Sequence, residues 1–436
     1  MKYALGNMLG ASKSMESKYS TICCCGDSIT DRISYRDSAY EYIVMSTDGW
    51  GAALETLSGQ RIRSVSRGNT GISGTPPPSN DRDHGYSGIT AEAYLIGSAA
   101  TGSSWLGSVI PIEWAKNTNA DLYVVHVGTN DLPNVSLTPQ QVADRVIAIW
   151  LNLVAAGKKV IGTDILQRTA TYSGWNSTLR DKVNSVNSIL RSSWQSSGIK
   201  GYRQWDDLVD KDVNGYAAST EFPNDGIHPT QRIGHKLGKD LLNYLQIKNL
   251  KSTPPVIPSS GSALWLTPNP YVAGNQGNGL ATSWASIGIS LGTNATASKI
   301  TDQDGSVWQR LSLSASIAFS QSGLYSRITS GIPASGTRVR ATAKVRIPSA
   351  GALTSINLQV QQVNAPQASD WMELFGRGGG TAISSPLISG DEYFMHSEPF
   401  TIQSGVTQLW LLVGFTCASG GGVYEFKEAG IYLDPL

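Results

Sequence analysis

The chain has 436 residues, enough for two domains. Its 34 Lys and Arg nearly balance its 33 Asp and Glu, so no basic excess is available for binding nucleic acid through phosphate neutralisation. A hydrophobic content of 40% excludes wholesale disorder, and no apolar run approaches the roughly 20 residues that span a bilayer, so neither disorder nor membrane insertion is expected. Met1–Ser20 mixes Lys2, Lys13, Glu16 and Lys18 with small residues and does not read as a signal peptide. Cys23, Cys24 and Cys25 are adjacent and Cys417 is remote, a spacing suited to a buried strand rather than to disulfides or a metal site.

Up to about residue 250, strand-like and helix-like segments alternate. Thr21–Cys25, Arg61–Ser66, Leu122–Val127 and Lys159–Ile165 are short and rich in apolar or β-branched residues. In Thr138–Ala156, Val142, Val146, Trp150 and Leu153 recur at helical spacing behind a Thr138-Pro139 start. Leu179, Val183, Val186 and Leu190 mark a second helix, and Ile233, Leu237, Leu241 and Leu245 a third. Such alternation predicts a mostly parallel sheet covered on both faces. The composition changes at residues 251–262, a Pro- and Ser-rich linker beginning KSTPPVIPSSG. From 263 to 436 helical periodicity disappears. Arg338–Ile347, Ser355–Val363 and Gln408–Phe415 predict an antiparallel β-sandwich or jelly roll.

Four segments of the first half carry candidate chemistry. Gly26-Asp27-Ser28-Ile29-Thr30 follows the first strand and puts a hydroxyl where parallel sheets bind ligands, although Asp27 or Ser28 would also suit a helix N-cap. Asp83–Thr90 (DHGYSGIT) and its rival Asn69–Gly74 (NTGISG) each offer a glycine whose backbone N–H a ligand can approach, or simply a turn. Gly128-Thr129-Asn130-Asp131 aims a side-chain amide from a strand end, or closes that strand in an Asx-type turn. Asp225-Gly226-Ile227-His228 spaces a carboxylate to accept a hydrogen bond from one imidazole nitrogen while the other faces a nucleophile. Among the other histidines, His126 reads as core, His235 as a solvated helix face and His396 as structural. His84 stands as a substrate contact or a loop hydrogen bond. Asp81, Asp83 and His84 lack a partner cluster of metal-ligand spacing.

In order and setting, the four segments resemble the SGNH (GDSL-type) hydrolases over about residues 20–248. The resemblance implies a three-layer α/β/α, flavodoxin-like catalytic domain over residues 1–250, followed by the β-sandwich. It further implies Ser28 as nucleophile, Asp225 and His228 as its partners, and Asn130 as an oxyanion donor. Gly88 is taken as the oxyanion glycine by its G-Y-S-G-x-T-like segment, with Gly74 the alternative. No metal or organic cofactor is implied.

Two long loops, Asp31–Trp50, largely polar, and Ile72–Ser104, rich in Gly, Ser and Pro, are expected to border the cleft, with Tyr35, Tyr40, Tyr42 and Tyr86 as a sugar-stacking rim or as loop packing. The second domain resembles carbohydrate-binding jelly rolls, with Trp284, Trp308, Trp371 and Trp410 available for stacking. Trp371 is expected to be the most exposed and Trp410 to lie in the core. The expectation is an esterase removing O-acetyl groups from a polysaccharide. The domain pair also resembles bacteriophage tail spikes, which implies a homotrimer or other homo-oligomer in a virion tail. An extracellular enzyme exported without a signal peptide is the rival setting. A glycan-binding adhesin with little catalysis and a lipase or thioesterase are the alternative functions.

Overall fold

The computed structural model describes residues 21–30, 35–36, 43–46, 49–64, 84–86, 88–100, 103–222, 225–245, 257–316, 322–365, 370–375, 389–397, 399–417 and 420–434. The first strand, β1 (Thr21–Asp27), contains the cysteine run. All its residues from Ile22 onward are buried, because neighbours cover both its edges and both its faces. Successive side chains then point into two different cores, which explains a continuous apolar run where a half-exposed strand would alternate. Cys23 and Cys25 join one core and Ile22 and Cys24 the other. All three are thiols outside any disulfide.

Two short strands follow in the segment after Ser28, β2 (Tyr35–Arg36) and β3 (Ile43–Ser46). The remaining strands of the first sheet are β4 (Arg63–Ser64), β5 (His84–Tyr86), β6 (Leu122–His126), β7 (Val160–Thr163) and β8 (Gly201–Arg203). The sheet runs β4-β1-β6-β7-β8, with β5 also paired to β1, and every pairing is parallel. On one face pack α2 (Ala91–Ile96), α3 (Pro111–Asn117), α4 (Pro139–Ala155) and α5 (Ser177–Ser193). On the other lie α1 (Trp50–Leu57) and α6 (Gln231–Leu245). This is the three-layer arrangement the alternation predicts. Helix α4 starts where its sequence specifies: the Thr138 hydroxyl accepts from Gln141 N, and the Gln141 side chain accepts from Thr138 N.

The second half folds as two packed, largely antiparallel sheets. One is built from β10 (Ala295–Thr301), β11 (Val307–Leu313), β13 (Arg338–Ser349), β16 (Glu392–His396), β17 (Phe400–Thr401) and β19 (Val423–Leu433). The other contains β9 (Trp284–Ile287), β12 (Gly323–Ile328), β14 (Leu353–Val363), β15 (Asp370–Phe375) and β18 (Gln408–Cys417). Alternating residues such as Leu409, Leu411 and Val413 fill the space between them.

The second sheet does not end within its own half. It is extended by β3, which pairs in parallel with β15 (Val44 opposite Met372), and then by β2. The stretch of chain following Ser28 therefore completes a sheet of the sandwich. A second seam joins α6 to β16: His235 Nε2 lies 2.8 Å from Asp391 Oδ2, and Lys239 Nζ donates to both Asp391 oxygens. Among the described residues no helix is long and apolar enough to cross a membrane.

Candidate active site

Strands β1, β5 and β6 deliver three of the four sequence segments to one edge of the first sheet, and the fourth meets them from the turn before α6. Strand β1 ends at Asp27, and the turn beyond it is fixed by Thr30 N donating to Asp27 O at 3.0 Å and Ile29 N donating to Asp27 Oδ1 at 3.0 Å. Gly26 is required by close approach: a Cβ there would lie 2.3 Å from His126 O and 2.1 Å from Thr30 Oγ1. The turn holds Ser28 at the strand end with only 8% of its surface exposed.

The Asp225–His228 turn sits immediately before α6. Asp225 Oδ1 accepts the backbone N–H groups of Ile227 (2.9 Å) and His228 (2.8 Å), while Oδ2 is hydrogen-bonded to His228 Nδ1. The other ring nitrogen, Nε2, lies 2.9 Å from Ser28 Oγ. Burial pushes the Asp225 carboxyl up, but the hydrogen bonds from His228 and Ile227 outweigh it and hold the group below its ordinary value. Asp225 therefore stays ionised and fixes the imidazole with Nδ1 as donor, leaving Nε2 to accept the Ser28 proton.

Asn130 follows β6 and reaches across to the turn after β5. Its Nδ2 donates to Ile89 O at 2.9 Å, which uses one N–H of the amide and sets the direction of the other. The adjoining Asp131, fully buried, accepts Ala91 N at 2.7 Å and Arg145 Nη1 at 3.2 Å. Two consecutive residues thus clamp the Asn130 turn onto the Gly88 turn. Gly88 is exposed, with φ +76° and open space where a Cβ would stand. Its rival, Gly74, lies outside the described residues.

Asp27, an N-cap candidate by sequence, instead links segments. It is 1% exposed and also accepts a backbone hydrogen bond from Thr129. Burial pushes its carboxyl up to about 7, against the opposing pull of those backbone donors and of the Arg168 charge.

Other expectations meet mixed outcomes. Tyr86 is no rim residue: it is buried, edge-on to Tyr94 at 5.9 Å. The side chains of Tyr35 and His84, and all of Tyr40, Tyr42, Asp81 and Asp83, lie outside the described residues. His126 is core, packed edge-on against Trp205 at 5.3 Å, and desolvation lowers its pKa to about 3. His396 is structural, its Nε2 lying 2.6 Å from Tyr432 OH. His235 is not on a solvated face but buried at the α6–β16 seam, its Nδ1 lying 3.0 Å from Tyr393 OH.

Trp284 and Trp308 are buried and unavailable for stacking, and the Trp371 side chain lies outside the described residues. Trp410 is not core. The alternation that buries Leu409 and Leu411 turns Trp410 to the outer face, stacked on Tyr325 at 5.5 Å beneath the Arg327 guanidinium at 4.3 Å. Gln359 and Gln361 border the same shallow depression.

A family model described as GDSL-like Lipase/Acylhydrolase matches residues 22–241. No curated relative matches the sequence. The chain is similar to a GDSL-like lipase from Bacteroides thetaiotaomicron, with 17% identity, TM-score 0.33, and coverage of 52% of this chain and 88% of that one. Its similarity to the enzymatically active domain of tailspike protein 4 from bacteriophage CBA120 is 13% in identity, with TM-score 0.23, covering 35% of this chain and 20% of that one. A xylan-binding CBM22-1 domain from Paenibacillus barcinonensis shares 12% identity, with TM-score 0.27, over 39% of this chain and 94% of that one.

Proposed function

This chain belongs to the GDSL-like lipase/acylhydrolase family, and we propose that within it the protein is a serine esterase that removes O-acetyl groups from a polysaccharide. The observation that carries the chemistry is Ser28 Oγ 2.9 Å from His228 Nε2, with Asp225 on the opposite ring nitrogen. Ser28 attacks the ester carbonyl while His228 takes its proton. Asp225 stabilises the resulting imidazolium. The backbone N–H groups of Ser28 and Gly88 and the second N–H of Asn130 receive the oxyanion. His228 then protonates the departing sugar oxygen; water, deprotonated by His228 in turn, attacks the acyl-enzyme, and His228 returns that proton to Ser28 Oγ as acetate leaves. Every proton in this cycle passes through one imidazole, and no step calls for a metal or organic cofactor.

A short acyl group on a glycan is favoured over a lipid by the largely polar composition of Asp31–Trp50 and the Gly-, Ser- and Pro-rich composition of Ile72–Ser104. The glycan reading is supported further by the outer face of the sandwich. There Tyr325 and Trp410 supply aromatic surface, and Gln361 supplies an amide able to pair with a sugar hydroxyl. The proposed setting is a homo-oligomer in a virion tail, and a clean monomer by light scattering contradicts that setting without touching the chemistry. The test of the acyl preference is a chain-length series of aryl esters. Turnover is expected to peak at acetyl, and a maximum well beyond acetyl overturns the reading in favour of a lipase or thioesterase.

A further inference from the structure

We propose that Arg168 is a positioning residue for the hydrolysis: its guanidinium fixes the Asn130 turn through Thr129, while the backbone of the adjoining Thr169 ties the same segment to the loop carrying Asp225 and His228. The inference rests on the serine-esterase reading above. Arg168 lies between β7 and α5, outside all four sequence motifs, and is 2% exposed. Its Nη2 donates to the Thr129 carbonyl, and Nη2 and Nε approach Thr129 Oγ1 at 3.2 and 3.4 Å. The planar fork thus grips both acceptors of the residue preceding Asn130. The rings of Tyr172 and Trp175 lie against the same guanidinium, each 4.8 Å from Cζ, and limit its movement.

Both neighbouring turns are tied into this grip. Thr129 donates its backbone N–H to Asp27, which in turn holds the Ser28 turn through Ile29 N. On the other side, Thr169 N donates to Gly226 O at 3.0 Å, within the Asp225–His228 turn. Gly226 has φ +76°, and a Cβ there would lie 2.4 Å from Thr169 Oγ1, so the two loops meet as closely as backbone allows. The nucleophile turn, the oxyanion turn and the acid–base turn are therefore connected through residues 168 and 169. Arg168 also lies within the electrostatic reach of both Asp27 and Asp225. A buried cation is a poor source of net stability, so what it orients is the better account of its presence.

The test is kinetic coupling in the full-length protein. Arg168→Met is expected to lower kcat about 10- to 100-fold with KM little changed, because an interaction made mainly in the transition state is lost. Combined with Asn130→Ala, it is expected to add less than about twofold to the loss from Asn130→Ala alone. Arg168→Lys, which keeps charge but lacks the fork, is expected to behave like the Met variant. Should Arg168→Met not fold, Thr129→Val removes one acceptor and is expected to show the same coupling on a smaller scale. Independent, multiplicative losses, or full activity in Arg168→Lys, would overturn the proposal. Retained activity in Ser28→Ala would instead overturn the underlying esterase reading, so the two failures are distinguishable.

Discussion

His228 and His235 lie within one short stretch of chain, and each imidazole stands between a carboxylate and a hydroxyl. At the cleft the partners are Asp225 and Ser28. At the seam they are Asp391 and Tyr393, at 2.8 and 3.0 Å. The row of groups is the same, although the carboxylate sits on Nδ1 at His228 and on Nε2 at His235, and the surroundings differ. Ser28 ends a strand beside the Gly88 and Asn130 turns, and His228 remains half-buried. His235 is closed in by a second sheet, and its hydroxyl partner is a phenol that burial pushes well above its ordinary pKa. A hydroxyl–imidazole–carboxylate row becomes a catalytic candidate only where a carbonyl can enter and an oxyanion can be received. At the seam the same row fastens two halves of a protein together.

The sharpest way to break this comparison is to delete each imidazole. His228→Ala and Ser28→Ala are each expected to lower kcat by about 10⁴-fold or more. His235→Ala should leave kcat within a few-fold of wild type, as steady-state rates on an aryl acetate will show. Next in size is Asn130→Ala, expected to cost about 10²–10³ in kcat through loss of one oxyanion donor, with KM almost unchanged.

At the seam the effect should appear as stability. His235→Ala removes a hydrogen-bond partner of Tyr393 and one of the partners of Asp391, with an expected loss of about 1–3 kcal/mol in chemical denaturation. Asp391 keeps Lys239, so the variant should fold.

The smallest effects concern pH and have opposite signs at two neighbouring groups. In the register of β1 and β6, Gly26 lies opposite His126, which places Asp27 next to that pair. Asp27 holds its proton up to about 7 in the fold, against 3.8 when unperturbed. Its stabilising contribution is complete below the lower value and lost as pH rises through the higher one. His126 titrates at about 3 in the fold, against 6.5. Its contribution is complete above the upper value and lost as pH falls through the lower. Between about pH 4.5 and 6 each group contributes a slope of about 1.4 kcal/mol per pH unit, and the two slopes oppose each other. Asp27→Asn should therefore make stability rise with pH across that window, and His126→Phe should make it fall. Denaturation midpoints at both ends of the window check the pair, and parallel slopes in the two variants would contradict it.

The parts of the molecule that were legible in sequence are those where local chemistry dictates geometry. Three consecutive cysteines before a Gly-Asp-Ser turn can hardly sit anywhere but in a buried strand. The Thr138–Gln141 cap specifies its helix start outright. The turn segments announce themselves because a strand end, a tight turn and a functional side chain must coincide within a few residues.

What stayed hidden depends on partners distant in the chain. Strands β2 and β3 are too short to show periodicity, and β3 takes its register from Met372–Leu374. His235 sits beside Lys236 and Lys239, so local polarity suggested solvent where a distant strand supplies Asp391. In Leu409–Val413 an apolar run concealed the alternation that turns Trp410 outward. Arg168 is a single arginine between a strand and a helix. Its position at the carboxyl end of a parallel strand was the available signal, and only the fold shows the Thr129 acceptors it meets.

The most direct measurement is acetate release from a panel of acetylated bacterial and plant polysaccharides, with wild type and Ser28→Ala run side by side. Release by wild type from at least one glycan, and by the variant from none, is the result expected of a Ser28-dependent polysaccharide O-acetylesterase. Binding of acetylated glycan by both proteins without release of acetate from any of them would contradict it, and would make the protein a glycan-binding adhesin built on a hydrolase fold.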